Sequence, residues 1–344
     1  MRGMDLQLRP ADAGKLNEHV IESLALRANP LGDPSARPLV VYTPPGYDED
    51  PDRRYPSIYV IQGYTGQVSM WWNHSPFVPT YPKMVDDLFA TGDVPHCLVV
   101  YVDAWTMYGG SQYVDSIGTG RYHTYLCDDV VSFVDTHYRT IDDPAHRAIQ
   151  GKSSGGFGAM ITPMLRPDRF GALASHAGDT LYELCYGASF GDAARLLRSW
   201  GGSPERWWED FCARPAFTHP ADMTLLGLYG VAACFSPDAN GKPILPFDTR
   251  SGRIIDEVWE RWLAWDPVRM VRSHADALRS LRGIWIDAGK SDEYYLDLGA
   301  QAFVDELAGI GISDIHFELF DGKHGNISYR YPLSLAFLAQ RIAP

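Results

Sequence analysis

The stretch from His146 to Met160 constrains this chain most: a short apolar strand runs into Gly151-Lys152-Ser153-Ser154-Gly155 and then into a helix of small residues. A serine hydroxyl is a weak nucleophile at neutral pH, so chemistry on it requires a sharp turn that lifts it to where a base can reach. Gly151 and Gly155 suit such a turn because, without a Cβ, they let it close against its neighbours. Residue 154 opens the following helix, so its backbone N–H is expected to point at an oxyanion held near the Ser153 hydroxyl. Gly and Ser are common in turns, so the five-residue pattern alone says little. The strand before it, the helix after it, and an acid and a histidine downstream in that order give it force.

Such a serine requires an imidazole to take its proton and a carboxylate to fix and stabilise that imidazole. His324 is the favoured base: it lies in Asp321-Gly322-Lys323-His324-Gly325-Asn326, a loop straight after the last expected strand, with glycines that let the ring swing. His176 is the rival, but chain order puts it early. The favoured acid is Asp292, in Ala288-Gly289-Lys290-Ser291-Asp292-Glu293-Tyr294, again a loop at a strand's end. Asp287 falls within the strand, Glu293 is expected to point away from Asp292, and Asp321 is the fallback. A second oxyanion donor is expected from the loop Gln62-Gly63-Tyr64-Thr65-Gly66, through the Tyr64 N–H.

Around this motif the chain reads as strands alternating with helices. Strands are expected at 39–43, 57–61, 97–102, 170–174, 283–287 and 315–319, and helical periodicity appears over 125–138. The polar residues 48–54 read as a hairpin loop joining the first two strands. Alternation of this kind implies a mainly parallel sheet covered by helices on both faces, with reactive loops at the carboxyl ends of the strands. From 181 to 269 the alternation lapses into a Trp-rich stretch, read as a helical insertion or cap near the active end within a single domain spanning 1–344. Trp259, Trp262 and Trp265 recur every three residues, the stripe of a buried helix face rather than a ligand platform.

Composition narrows the function classes. A formal charge of −13 argues against nucleic acid or an anionic membrane as partner, since either calls for a basic patch. No apolar run approaches the roughly 18 residues of a membrane helix, and residues 1–10 carry no apolar signal core, which leads to the expectation of a cytoplasmic protein. Five cysteines without metal-ligand spacing read as free, mostly buried thiols. No metal and no organic cofactor is called for.

Further residues are expected near the site by loop position: Tyr113, Asp115, Tyr122 and His123 after the strand 97–102, and His176 and Asp179 after the strand 170–174. Trp71 and Trp72, shortly after the oxyanion loop, are expected to wall an acyl or aryl pocket.

With these residues in view, the chain resembles the Putative esterase family of α/β-hydrolases, which contains S-formylglutathione hydrolases, enterochelin esterases, feruloyl and acetyl-xylan esterase modules and mycolyl-transferring enzymes. The resemblance runs from about Val20 to Ile342. It rests on Val41 to Tyr47, Tyr55 to Gly63, Gly151 to Gly156 and Ile286 to Asp292. It implies an α/β-hydrolase fold, with Ser153 as nucleophile, Asp292 as acid and His324 as base. Two departures stand out: the family usually has His-Gly where this chain has Gln62-Gly63, and the Trp-rich insertion is longer than in the small hydrolases. The expected function is hydrolysis of small-molecule carboxylic esters through an acyl-enzyme. The alternatives are an acyltransferase using an alcohol or sugar acceptor, and a non-catalytic binding protein on the same fold.

Overall fold

A computed structural model describes residues 13–344; the reading of residues 1–10 lies outside them. Eight strands form the central sheet: β1 (Lys15–Glu22), β2 (Ala36–Thr43), β3 (Ser57–Ile61), β4 (Leu98–Val102), β5 (Arg147–Lys152), β6 (Ala172–His176), β7 (Gly283–Gly289) and β8 (His316–Phe320). Their order is β1-β2-β4-β3-β5-β6-β7-β8. β2 pairs antiparallel with β1 and β4, and every other neighbour is parallel. This is the α/β-hydrolase arrangement that the sequence led us to expect.

Strands buried on both faces have no polar side to show, which is why β3 and β4 read as unbroken apolar runs. Alternate side chains of β3 serve two cores. Tyr59 and Ile61 belong to the core on one face, with Phe157, Val131, Phe303 and Leu307. Ile58 and Val60 pack with Phe89, Leu335 and Leu338 on the other. The helices Ser154–Leu165 and Leu296–Gly309 thus cover one side of the sheet, and Tyr81–Ala90 and Tyr331–Arg341 the other.

Three readings are corrected. The strand 39–43 is not the hairpin partner of 57–61: Leu39 faces Val102 of β4, while both edges of β3 are taken by the parallel strands β4 and β5. Residues 48–54 therefore carry the chain past β4 rather than around a hairpin, because a fully buried strand needs a neighbour on each side. The first strand, β1, was not anticipated, since its half-exposed Lys-Leu-Asn-Glu-His-Val-Ile-Glu shows no apolar run. The expected helix over 125–138 begins earlier, at Tyr122, and widens to π-helical winding over Tyr125–Val130 before Val131–His137.

Between β6 and β7 the chain is mostly helical, including Phe190–Leu197, Pro204–Ala213, Asp222–Phe235 and Asp256–Leu263. Trp259 and Trp262 are buried on the helix Asp256–Leu263, as their spacing suggested, whereas Trp265 lies beyond the end of that helix and is half-buried. Four cysteines are buried and Cys212 is exposed, all unpaired. No helix among the described residues is long and apolar enough to cross a membrane.

Candidate active site

Parallel register brings the functional loops to one rim. Ile61 pairs with Gly151, Lys152 with His176, His176 with Asp287, and Gly289 with Phe320. The chain leaving β3, β5, β6, β7 and β8 therefore emerges at the same edge, beside the point where the strand order reverses around β3.

Ser153 sits on the turn out of β5 with φ 57° and ψ −126°, a backbone conformation that L-residues rarely adopt and that aims its side chain away from the sheet. Hydrogen bonds hold it there: its N–H donates to the His176 carbonyl at 3.0 Å, and its carbonyl accepts from Phe157 at 2.9 Å and Asp179 at 3.3 Å. The turn tolerates no side chain at residue 155, where a Cβ would lie 2.6 Å from the Ile61 carbonyl oxygen and 2.8 Å from that of Gln62. Gly63 approaches from the other side, less tightly: a Cβ there would lie 3.0 Å from the Lys152 carbonyl oxygen and 3.3 Å from the Ser153 Cβ.

His324 Nε2 lies 3.2 Å from Ser153 Oγ, and its Nδ1 lies 2.8 Å from Asp292 Oδ2. The other Asp292 oxygen accepts the Tyr294 N–H at 2.8 Å, so the carboxylate is fixed at both ends. The ring of Tyr294 packs edge-on against His324, with centroids 4.9 Å apart. Glu293 does not compete with Asp292: it accepts the backbone N–H of His324 at 3.0 Å, and this bond holds its carboxyl below the usual range. Asp321 is taken by Lys290 at 2.9 Å. A hydroxyl, an imidazole and a carboxylate in this series can pass a proton from oxygen to nitrogen and stabilise the cation that results.

The backbone N–H of Ser154 begins the helix Ser154–Leu165, and residues 63–65 line the cavity opposite it together with Ser153 and Ser154. Gln62, the departure from His-Gly, folds back on its own loop, donating to the Gly66 carbonyl at 3.3 Å. Beyond Ser153 opens a cavity of about 380 Å³, the size range of small-molecule sites. Its wall is mostly apolar, with Met70, Trp71, Leu228, Val231 and Tyr331 among its residues. Lys152 also lines it; burial lowers the pKa of its amine against the pull of Asp292, Asp179 and Glu293.

The other residues anticipated near the site divide. Trp71 and Asp179 line the cavity. Trp72 packs edge-on to Tyr101 and outside the cavity lining. Tyr113 donates its hydroxyl to the Gln62 carbonyl at 2.6 Å, bracing the loop from behind. Asp115 accepts from Thr124 at the start of a helix, through its backbone at 2.9 Å and its hydroxyl at 2.6 Å. Tyr122 is buried, and His123 meets the Tyr113 carbonyl at 3.0 Å. His176 is 0% exposed, with Nδ1 2.7 Å from Asp287 and Nε2 2.7 Å from Ser334. It is thus part of a second Asp-His-Ser series sealed inside the protein, beyond any substrate's reach.

Sequence reasoning missed Gln112, Cys185, Tyr186, Met223, Gly227 and Tyr294, all of which line the cavity. Cys185, Tyr186, Met223 and Gly227 carry no local motif and reach the cavity through the packing of the insertion, whereas Gln112 and Tyr294 sit in loops at the reactive rim, where loop position could have found them. Among the described residues, no group of three or more His, Cys, Asp or Glu is placed to hold a metal ion.

A family model described as Putative esterase matches residues 34–324. An uncharacterized protein of Corynebacterium glutamicum is 26% identical over 143 residues, which is 42% of this chain and 33% of that protein. The chain thus matches about a third of that relative's length. Among solved structures, a ferulic acid esterase superposes with a TM-score of 0.62 at 19% identity, covering 96% of this chain and 99% of its own. The S-formylglutathione hydrolase from Agrobacterium tumefaciens gives 0.58 at 17% identity, covering 97% and 98%. At these identities the likeness is one of fold.

Proposed function

The chain belongs to the Putative esterase family, and from that premise we propose that it is a serine carboxylic-ester hydrolase whose nucleophile is Ser153, base His324 and acid Asp292. The observation that carries this reading is the unbroken series from Asp292 Oδ2 through His324 to Ser153 Oγ, with steps of 2.8 and 3.2 Å.

In the first half-reaction Ser153 Oγ attacks the ester carbonyl while His324 Nε2 takes its proton. The resulting imidazolium is stabilised by Asp292, which also fixes the productive tautomer. Negative charge on the former carbonyl oxygen is met by the backbone N–H groups of Ser154 and Tyr64. His324 then returns the proton to the leaving alcohol, giving an acyl-enzyme. Water enters the second half by the same route, losing its proton to His324 as it attacks the acyl carbonyl, and the carboxylic acid departs. The acyl group occupies the cavity between Trp71 and the helix Asp222–Phe235. Small-molecule esters fit that volume, and the resemblance to a ferulic acid esterase and an S-formylglutathione hydrolase makes aryl-acyl esters and thioesters the first substrates to try.

Replacing Ser153 by Ala tests the assignment. Turnover of a simple aryl ester falls by several orders of magnitude, as in other serine triads, and labelling by a fluorophosphonate probe disappears. Normal turnover by a folded Ser153→Ala protein overturns the proposal.

A further inference from the structure

Asp179 has no part in the relay from Asp292 to Ser153, yet it stands against the nucleophile. It is 5% exposed and lies on the loop after β6. Its Oδ2 accepts the hydroxyls of Tyr186 at 2.7 Å and Ser154 at 3.0 Å, and Tyr186 is braced in turn by Gln112 Nε2 at 3.1 Å. Burial raises the pKa of this carboxyl, against the opposing effects of Tyr186, Ser154, the charge of His324 and Gln112. Its other oxygen, Oδ1, faces Ser153 Oγ at 3.5 Å, the outer limit of a hydrogen bond. Gln112 lines the same cavity, with its Oε1 buried and without a donor.

Acylation of Ser153 changes what Oδ1 meets. The hydroxyl proton leaves for His324, and Oγ becomes an ester oxygen with no hydrogen to give. The carboxylate oxygen stays beside Oγ, and because the single Ser153 proton serves His324 at 3.2 Å, Oδ1 is a buried acceptor short of a donor, which is unfavourable. Its charge also stands near the oxyanion that forms on attack, and like charges at such range repel strongly where water is excluded. A hydrogen-donating group on the acyl chain, set between the two, relieves both penalties. On the carbon next to the carbonyl such a group is three bonds from Oγ, about 3 Å away by ordinary bond lengths, and rotation about the bond to the carbonyl can swing it toward an oxygen that is 3.5 Å from Oγ.

Resting on the esterase reading, we propose that Asp179 is a specificity residue that selects acyl groups bearing a hydroxyl or amino group on the carbon next to the scissile carbonyl.

The test compares ethyl esters of propionate, 2-methoxypropionate, 2-hydroxypropionate and alanine, each rate divided by that ester's own alkaline hydrolysis rate to remove intrinsic reactivity. The methoxy ester keeps the electronegative oxygen but has no hydrogen to donate. In the unmodified protein, kcat/KM for the hydroxy and amino esters exceeds that for the other two at least tenfold. In Asp179→Ala, checked for folding by circular dichroism, the ratio shrinks to within about twofold. The hydroxy-against-methoxy comparison in the unmodified protein decides by itself if that variant does not fold. Equal rates there overturn the proposal, as does a ratio that persists in folded Asp179→Ala. Ser153-dependent hydrolysis of all four esters without discrimination overturns donor selection alone. No turnover of any ester, together with no fluorophosphonate labelling, overturns the esterase reading and this inference with it.

Discussion

The hydroxyl of Tyr64 lies 2.6 Å from the backbone carbonyl oxygen of Leu226, tying the loop after β3 to the helix Asp222–Phe235 of the long insertion. Gly230 makes room for this contact, since a Cβ there would fall 2.3 Å from the Tyr64 hydroxyl oxygen. The loop proposed to offer an oxyanion donor and the helix that walls the cavity are therefore held as one piece. Preorganised donors act only as well as their support holds them, so this contact relates the acyl pocket to the chemistry.

We expect Tyr64→Phe to separate catalysis from stability. Losing one such hydrogen bond costs about 1 kcal/mol of folding free energy, or a few degrees in Tm. The loop's backbone N–H loses one of its anchors, however, leaving the bonds from Tyr113 to the Gln62 carbonyl and from Thr65 to the Gly109 carbonyl, and kcat falls about tenfold with little change in KM. Steady-state kinetics beside a thermal melt check this; an unchanged kcat would separate the Tyr64 side chain from oxyanion support.

Asp287 at the heart of the sealed Asp-His-Ser series matters to folding instead. It bonds His176, Trp285 and Arg330 at 2.7, 3.0 and 3.0 Å. Burial alone pushes its carboxyl pKa up, but His176, Trp285 and Arg330 outweigh that and hold it below the usual value. Removing one member of a buried charged network strands the rest, so Asp287→Ala is expected to cost about 3–5 kcal/mol, measured by urea unfolding. A depressed folded pKa gives stability that is present above the unfolded pKa and lost as pH falls through the folded one. The Tm gap between the native protein and Asp287→Asn therefore narrows below about pH 4. A gap that stays constant from pH 7 to pH 3 contradicts this account.

The elbow was legible because its chemistry is local: Gly151, Ser153 and Gly155 are required by the turn itself, and a strand and a helix flank them in sequence. His324 and Asp292 were legible by position, each in a loop that leaves a strand at the reactive rim. The neighbour of β2 was not, because periodicity reports how buried a strand is and not which strand lies beside it. β1 escaped notice as a half-exposed edge strand without an apolar run. His176 shows a deeper limit: a histidine, an aspartate and a serine in hydrogen-bonded series serve folding or chemistry according to whether a cavity reaches them. Tyr186 escaped because only the packing of the insertion brings it beside Asp179, and Gln112, though in a rim loop, because nothing in its loop marks it as the partner of Tyr186.

Asp179 itself predicts a stability trade. Its raised folded pKa, from burial, means that its favourable contribution is fully present below the unfolded pKa and is lost as pH rises through the folded pKa. Asp179→Asn, close in shape and without the charge, is accordingly expected to melt higher than the native protein at pH 8, and the advantage shrinks toward pH 4. Melting curves of the two proteins across that range decide it. A variant that melts lower at pH 8 would show that the bonds from Tyr186 and Ser154 outweigh the burial of the charge.

Gly227 offers the most direct control of acyl size. It lines the cavity from the middle of the helix Asp222–Phe235, and a Cβ added there meets nothing within 4 Å. A glycine in a helix interior is less favourable than alanine by about 0.8–1 kcal/mol, so Gly227→Ala is expected to raise Tm by a few degrees. Gly227→Leu gains less in stability but projects its side chain into the cavity. Hydrolysis of long-chain and aryl-acyl esters then falls at least tenfold in kcat/KM, while acetyl esters, which need little of that volume, fall much less. A series of p-nitrophenyl esters of increasing acyl length measures this. If all lengths slowed equally, the acyl group would lie elsewhere than beside this helix.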